Sequence, residues 1–397
     1  MPFARALAKG SAAAALCLLV LVACGREAPL EERVLKRLEA KDVDGALGLL
    51  DQRLQKAPED EGAKVLRVRV LLAGGRIDEA MAAFGRLSEK GLLEQPRLAR
   101  QFALTLVAEA FRSGNAFLES RAAMALAAVG DAEALPLIRA ALTHKNPAVR
   151  ALTLRGLRRV RAPEAAGLAA KALEDEDGGV RAVAAELLGD LRAAEARDGL
   201  RRALGDKEGI VALRAAVALA LLGEAEGKDV LRRTIAAPLK VEGRGTFEQI
   251  VAAEGLARLG EPAGRELLVR LLQHPRQSAG LFAAEALSNL NDPAPRDFLR
   301  KVVQEGKDRN HRMWASWTLA RFEDDAGRPA ALELLADKEE PARLEAAWTL
   351  GQMGRLAPVG PLQKALADQS LFVRYQAVWS ISEIVLAPVP LPKPKAG

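Results

Sequence analysis

One aliphatic position recurs along most of the chain at a nearly constant interval. Successive copies of this position, here called the reference position, stand 31 or 32 residues apart, except for one interval of 37. Apolar residues three and four positions away from it indicate one buried stripe of a helix. A fixed period of this length predicts a solenoid, in which each repeat buries its apolar face against the next. The reference residues are Leu126, Leu157, Leu188, Leu219, Leu256, Leu287, Leu319, Leu350 and Ile381.

Each repeat is predicted to be a pair of short helices. In the repeat from Glu340 to Asp368, Pro341 lies where a first helix begins and Gly354 lies just after it ends. Proline and glycine at these places are typical of helix starts and stops. A second helix then begins at Pro361. A small residue four positions before the reference residue lets neighbouring repeats approach closely, so the predicted fold is all-α.

The repeats resemble the HEAT-like family in its short form. The resemblance rests on Val149–Arg150, Val180–Arg181 and Val373–Arg374, each followed by an alanine or threonine, the reference residue and often a glycine. It covers residues 115–386 as about nine units. It implies a right-handed α-α superhelical solenoid, which is a gently curved stack of helix pairs. It implies no reaction, because such stacks serve many functions.

A different period occupies residues 31–114. Ala46 is matched 34 residues later by Ala80, and Gly75 stands in the turn before the second of these alanines. The pattern resembles a degenerate tetratricopeptide repeat, and it departs from that family by carrying Lys41 where a glycine is expected. The resemblance implies a helical cap in front of the main solenoid.

Residues 1–23 have the character of an export signal. Positive residues precede an apolar stretch, Ser11–Ala23, which is too short to span a bilayer as a helix. The stretch ends in Leu21–Cys24, which resembles the lipobox of bacterial lipoproteins. That resemblance implies a lipidated Cys24, a tether over residues 24–30, and an outer-membrane protein that faces the periplasm. The alternative is an ordinary secretory signal with a chance cysteine.

Two further segments lie outside the repeat pattern. The one long interval indicates an insertion near residues 237–246, which either carries contacts or is a tolerated surface loop. Residues 387–397 are rich in proline and lysine. This tail is expected to be unpacked, and its alternative roles are a spacer or a ligand for another protein.

Charge balance argues against nucleic acid as a partner. The net charge of +6 arises from 58 basic and 52 acidic residues, so the surface is mixed. The most basic patch is interpreted as a solvated face, with an anion-binding site as the alternative. Its members are Arg155, Arg158, Arg159 and Arg161.

The chain carries no recognisable catalytic motif. His144, His274 and His311 lack a partner at metal-ligand spacing, so neither a metal nor another cofactor is expected. Cleavage of the signal leaves Cys24 as the only cysteine, and no other nucleophile motif is present. Neither an enzymatic reaction nor a small-molecule substrate is therefore expected.

A column of arginines stands seven positions before the reference residue in five repeats. At about 100° per residue this position lies close to the buried stripe, so the stem can pack while the guanidinium binds an acid or a carbonyl of the preceding turn. We interpret the column as a structural ladder rather than a ligand site. Its members are Arg150, Arg181, Arg312, Arg343 and Arg374.

Four tryptophans in the last three repeats are the predicted partner-binding residues. Trp317, Trp348 and Trp379 stand two positions before the reference residue, on the other side of the helix, and Trp314 lies on a similar face. An exposed aromatic column is typical of a partner site. The alternative is that the rings pack between repeats or beneath the tail. Earlier repeats carry charged residues at this position, which are expected to face solvent: Arg155, Glu186, Glu254 and Glu285.

The sequence as a whole favours a non-enzymatic, membrane-anchored scaffold of the bacterial cell envelope. An elongated stack without a reactive group offers binding area, so the expected partners are other envelope proteins or peptides. The alternative is a HEAT-like enzyme or lyase with a pocket on the concave face. A cluster of acids or histidines on that face would favour the enzyme.

Overall fold

The computed structural model describes residues 28–130, 134–158, 164–238 and 245–387. These residues form 23 α-helices and no strand, which confirms the predicted all-α class. The signal, Cys24, most of the insertion and the tail after residue 387 lie outside the described residues. The chain divides into two compact units, Met1–Leu98 and Ala99–Gly397.

The described part of the first unit contains five complete helices. Ala46 and Ala80, the matched pair of the degenerate repeat, are both fully buried. Lys41 lies in the turn before the second helix with a left-handed φ of 59°, and Gly75 lies in the equivalent turn with a φ of 71°. The lysine therefore adopts the conformation for which the repeat normally uses glycine. The helices are α1 (Leu30–Glu39), α2 (Val43–Lys56), α3 (Glu61–Ala73), α4 (Ile77–Phe84) and α5 (Glu89–Leu93).

The second unit contains nine inner helices that contact one another in sequence. The boundary between the units falls within α6 (Pro96–Arg112), which precedes the first of them. The inner helices are α7 (Ala116–Val129), α9 (Pro147–Leu157), α11 (Gly178–Asp190), α13 (Gly209–Leu221), α15 (Gly245–Arg258), α17 (Gln277–Asn289), α19 (Arg309–Ala320), α21 (Glu340–Gln352) and α23 (Leu371–Leu386).

Eight shorter outer helices alternate with the inner ones. Each outer helix packs against the inner helix that follows it in the chain, so a repeat is a helical hairpin, as predicted. The outer helices are α8 (Leu135–Ala141), α10 (Ala165–Ala172), α12 (Arg197–Ala203), α14 (Ala225–Ala236), α16 (Pro262–Leu271), α18 (Arg296–Glu305), α20 (Arg328–Leu334) and α22 (Val359–Ala365).

The reference residues form the hydrophobic seam between repeats. All nine are at most 1% exposed, and the small residue four positions before each of them is equally buried. Several inner helices begin at a side-chain cap eleven positions before the reference residue, where the side chain accepts a backbone N–H of the first turn. These caps are Asn115, Asn146, Asp177, Asp308 and Ser370.

The last inner helix returns to the beginning of the second unit. Helix α23 contacts α7 as well as α21. The indole Nε1 of Trp379 donates to the carbonyl of Ala103 at 3.3 Å, and the hydroxyl of Ser382 donates to the carbonyl of Ala99 at 2.9 Å. The nine inner helices therefore form a closed ring. The sequence predicts only a curved stack, because closure depends on small rotations that add up over all repeats.

The turn that follows an inner helix is left-handed in six of the described repeats. The position lies four residues after the reference residue, and an L-residue with a side chain is strained there by about 1–2 kcal/mol. The six residues are Arg192, Gly223, Gly260, Asn291, Glu323 and Gly354, with φ between 52° and 91°.

Substitutions at this turn position are expected to change stability in opposite directions. Gly260→Ala should lower the free energy of unfolding by about 1–2 kcal/mol. No atom lies within 4 Å of the added Cβ, so the cost arises from the backbone alone. Arg192→Gly should raise it by up to about 1 kcal/mol, because strain is relieved. Urea denaturation followed by circular dichroism measures both, and destabilisation by Arg192→Gly would contradict the argument.

Candidate binding site on the inner face of the ring

The inner helices turn one face towards the space that the ring encloses. The residues two and five positions before the reference residue lie on this face, because they are on the opposite side of the helix from the buried seam. Helices α9, α11, α13, α15 and α17 line a cavity of about 340 Å³ there, together with Arg321 at the end of α19. The cavity has both charged and aromatic walls.

Some charged residues of the cavity are paired with one another. Arg214 lies 3.5 Å from the carboxylate of Glu186. Arg158 and Arg258 both contact Asp190, at 3.3 and 2.7 Å. Arg258 belongs to α15 and Asp190 to α11, so this pair spans the intervening helix α13. Glu186 therefore offsets the charge of Arg214, whereas the single carboxylate of Asp190 is shared between Arg158 and Arg258.

Two carboxyl groups of the cavity are bound by neutral donors instead. Glu254 accepts a hydrogen bond from the Asn289 amide at 2.9 Å, and Glu285 accepts one from the Trp314 indole at 3.1 Å. Burial raises the pKa of Glu254, and it raises the pKa of Glu285 as well. The hydrogen bonds and nearby arginines oppose these shifts without cancelling them. Both groups therefore hold a proton more readily than an exposed glutamate.

Two arginines of the cavity have no direct counter-charge. The side chains of Arg155 and Arg321 make no hydrogen bond or ion pair with any residue that the structure describes. Both line the cavity that Glu285 also lines, and the positive charge of each lowers the pKa of that carboxyl, against the larger effect of burial. Neighbouring groups around its guanidinium lower the pKa of Arg321 by desolvation, although the residue as a whole is exposed. The guanidinium of Arg321 nevertheless remains charged, because the pKa of arginine is far above neutral pH.

Aromatic rings continue the cavity wall along neighbouring helices. Phe282 makes edge-to-face contacts with Phe247 on one side, at 5.2 Å between centroids, and with Trp314 on the other, at 4.7 Å. Phe247 and Phe282 are each 37% exposed. Trp317 and Trp348 form a second edge-to-face pair at 5.9 Å. Such pairs contribute about 0.5–1.5 kcal/mol beyond their burial and hold the rings in place.

Comparison with known proteins identifies the family to which these repeats belong. A family model described as HEAT repeats matches residues 103–169, 165–241, 248–320 and 298–382, which is more than half of the chain. The chain belongs to the HEAT-repeat family. A tetratricopeptide-repeat model matches residues 37–100 of the HEAT-repeat protein. Both resemblances predicted from the sequence are thereby confirmed, and repeats of both families indicate a protein-interaction scaffold.

Solved structures match the HEAT-repeat chain with low sequence identity and low TM-scores. Human deoxyhypusine hydroxylase in complex with glycerol is 23% identical, over 64% of this chain and 96% of that one, with a TM-score of 0.35. An engineered protein is 18% identical, over 90% of this chain and 99% of that one, with a TM-score of 0.26. No curated protein matches the sequence.

The arginine column lies at the contacts between HEAT repeats. Arg181 donates from Nε and Nη2 to Asp206 at 2.7 and 2.9 Å, and from Nη1 to the carbonyls of Asp175 and Glu176. The carboxylate comes from the following turn and the carbonyls from the preceding one. Arg150 and Arg343 repeat this arrangement. Carbonyl oxygens also accept from the two remaining members, Arg312 and Arg374.

The four tryptophans lie on the inner face, but not as an exposed column. The expected exposure is wrong for Trp379, which is 1% exposed because it packs against α6 and closes the ring. Trp314, Trp317 and Trp348 are half-buried. Their role in partner binding stays a prediction.

The charged residues at the tryptophan position were expected to face solvent. Arg155 is exposed, as expected, whereas Glu186, Glu254 and Glu285 are half-buried. Arg155, Glu186, Glu254 and Glu285 all line the cavity, because the ring turns that side of the helices inwards. Phe247 and Phe282 were not predicted as site residues. Phe282 stands five positions before its reference residue, as Trp314 does, and this shared register is the signal that could have indicated it.

The described part of the chain has neither a helix suited to cross a membrane nor a cluster of metal ligands. No helix there is both long and apolar enough to cross a bilayer. No group of three or more histidine, cysteine, aspartate or glutamate side chains is arranged there to hold a metal ion. The Nδ1 atoms of His144 and His274 accept backbone N–H groups two residues further on.

Proposed function

We propose that the protein is a membrane-anchored scaffold of the bacterial cell envelope whose HEAT-repeat ring holds a segment of a partner protein on its inner face. One observation carries the proposal. The inner face combines arginines without counter-charge and partly exposed aromatic rings around one cavity. Aromatic and arginine side chains are the types most enriched where proteins bind one another.

The ring offers a rigid frame for such a segment. The cavity-lining side chains project from helices whose seam residues are fully buried, so their positions are fixed before binding. Pre-organisation reduces the entropy lost on association. A segment that enters the ring can touch several repeats at once, which a flat surface does not allow. The expected partners are other envelope proteins or peptides.

An enzyme or lyase with its site on the concave face is a second candidate. The observation that favours it is the raised pKa of Glu254 and Glu285, because general acids are often tuned in this way. Each of these carboxyls is already bound by a fixed donor, Asn289 or Trp314, which is typical of a structural acid. The binding function accounts for the arginines and the rings as well, so we favour it.

Photocrosslinking at the inner face tests the scaffold function. A photoreactive phenylalanine analogue at Phe282 should crosslink a partner in intact cells, whereas the same analogue at Lys171 on outer helix α10 should not. Competition identifies a specific partner, because extra unlabelled protein should reduce the crosslink. Equal crosslinking at both positions, or none at Phe282, would contradict the proposal.

Anchoring is proposed from the lipobox-like sequence before Cys24. Cys24→Ala removes the residue that would carry the acyl chains. The variant should therefore shift from the membrane pellet to the soluble envelope fraction, because stable membrane attachment depends on those chains. Labelling of cells with radioactive palmitate should mark the original protein and not the variant. Cys17→Ala is the matched control and should change neither result. A variant that stays in the pellet would refute the lipid anchor.

A further inference from the structure

We propose that the proline-rich tail, residues 388–397, binds along a row of aromatic rings on the inner face of the ring and competes there with other segments. Because this ligand belongs to the same chain, its binding does not depend on the scaffold function proposed above. Three features of the row and the tail support it. The aromatic row consists of Phe247, Phe282, Trp314, Trp317 and Trp348.

The first feature is the continuity of the aromatic row. Its rings project from four consecutive inner helices, α15, α17, α19 and α21. Phe282 contacts Phe247 and Trp314, and Trp317 contacts Trp348, all in edge-to-face pairs. The two phenylalanines are 37% exposed and the three tryptophans are half-buried, so every ring keeps uncovered surface. The row therefore presents a line of apolar surface to the space that the ring encloses.

The second feature is the match between this row and a polyproline II helix. Packed helices lie about 8–10 Å apart, so the aromatic rings recur at about that interval. A polyproline II helix rises about 3.1 Å per residue and turns once in three residues, which is about 9 Å per turn. In that conformation Pro388, Leu391 and Pro394 form one wholly apolar edge, and both lysines lie on the other edges. Aromatic-lined grooves are a common receptor for such segments.

The third feature is the place where the tail begins. Arg355 donates from Nε to the carbonyl of Ala387 at 3.1 Å and from Nη2 to that of Val385 at 3.2 Å. Arg355 follows α21, so the tail starts beside the end of the helix that carries Trp348, which lies about 6 Å before that end. Ten residues extend about 31 Å as polyproline II. Phe282, two inner helices further on, is about 22–26 Å away along this path.

Tethering makes a weak contact sufficient. A segment joined closely to its own site has an effective concentration on the order of 1 mM. A free peptide with a Kd of about 0.1 mM would therefore be about nine-tenths bound when it is part of the chain. A competing segment meets an occupied face, and its apparent affinity falls about tenfold. The tail thus sets the affinity that a competing segment has to exceed.

Tryptophan fluorescence tests whether the tail covers the row. A chain shortened to end at Ala387 keeps the described contacts of α23, and its emission should lie at longer wavelength because Trp317 and Trp348 lose their cover. The added peptide acetyl-Pro-Val-Pro-Leu-Pro-Lys-Pro-Lys-Ala-Gly should reverse this shift. It should bind the unshortened protein about tenfold more weakly, because the tethered tail competes. Equal affinity for the two chains, or identical emission, would overturn the inference.

Variants of the peptide test the apolar edge. Leu391→Ser should weaken binding to the shortened chain at least about tenfold, because burial of a leucine side chain is lost. Val389→Ser, which lies off this edge, is the matched control and should change the affinity less than about twofold. Glutamine in place of both lysines should also leave binding intact. Equal losses from the two serine variants, or loss with the glutamine peptide alone, would overturn the inference.

Variants of the shortened chain place the peptide on the row. Trp348→Ala should weaken a fluorescein-labelled peptide about tenfold in an anisotropy titration, since buried tryptophans dominate such contacts. Phe117→Ala is the matched control, because Phe117 is 49% exposed on α7 and lies outside the row. Circular dichroism checks that both variants are folded at the assay temperature. Unchanged binding by Trp348→Ala would overturn the inference.

Crosslinking in cells separates the tail from the scaffold function. Removal of residues 388–397 should raise the yield of the partner crosslink at position 282 by up to about tenfold, because the competitor is gone. A partner crosslink of unchanged yield would overturn competition by the tail and leave the scaffold function standing. Absence of any partner crosslink would remove the scaffold function, and peptide binding by the shortened chain would still decide whether the tail occupies the row.

Discussion

Replacing Trp379 with alanine is expected to lower the free energy of unfolding of the second unit by about 3–5 kcal/mol. Trp379 is 1% exposed and is among the largest fully buried side chains of the described residues. Its ring packs edge-to-face on Tyr375 at 5.8 Å, and its indole donates to the carbonyl of Ala103. The substitution therefore leaves a cavity and an unsatisfied carbonyl at the place where the ring closes.

The matched control for this variant is Trp348→Ala. Trp348 occupies the same repeat position two residues before the reference leucine, but it is half-buried on the inner face. Its loss should cost about 1 kcal/mol, mainly the edge-to-face contact with Trp317. Guanidinium denaturation followed by circular dichroism measures both. Hydrogen exchange should become faster in α6 and α7 for Trp379→Ala alone, and similar effects of both variants would argue against a special role in closure.

The seam of the repeats is predictable from the sequence because every repeat must satisfy the same packing requirement. A buried leucine with a small residue four positions before it satisfies close packing in every copy, so the period stands out. The N-terminal repeat is equally visible, even though Lys41 takes a left-handed conformation that glycine would adopt with less strain. Local patterns of this kind report on contacts between adjacent elements.

The inner face is not predictable in the same way. Residues opposite the seam face solvent in an open stack and face one another in a closed ring, and the sequence pattern is identical in both cases. Arg155 and Glu285 lie four repeats apart in the chain, yet both line the same cavity. Only contacts between distant repeats, such as that of Ser382 with Ala99, decide between the two arrangements.

Arg181→Met is expected to be the second strongly destabilising variant, with a loss of about 3–5 kcal/mol in the free energy of unfolding. The side chains of Arg181 and Asp206 are only 10% and 12% exposed, so removal of the guanidinium leaves a buried carboxylate without its counter-charge. Arg232→Met removes an exposed pair with Glu261 and should cost much less, because solvent screens the pair. Urea denaturation of both variants at neutral pH gives the comparison.

Acid conditions should show that charge is the cause of this loss. The hydrogen bond from Arg181 lowers the pKa of Asp206, so the stabilisation is present above the pKa of the unfolded chain and is lost as the pH falls through the lower, folded value. In Arg181→Met a protonated Asp206 no longer needs a counter-charge. The difference in stability between the variant and the original protein should therefore shrink below about pH 4.

The double variant Arg181→Met with Asp206→Asn separates charge from packing. Asparagine keeps the side-chain oxygen that accepts the backbone N–H of Glu208, but it carries no charge. If the unpaired carboxylate causes the loss, this variant should recover more than half of it at neutral pH, and the residual loss should reflect the carbonyls of Asp175 and Glu176 that Arg181 no longer binds. No recovery at all would mean that the arginine stabilises the repeat through its stem and those carbonyls, and the ladder would then be a packing device and not an electrostatic one.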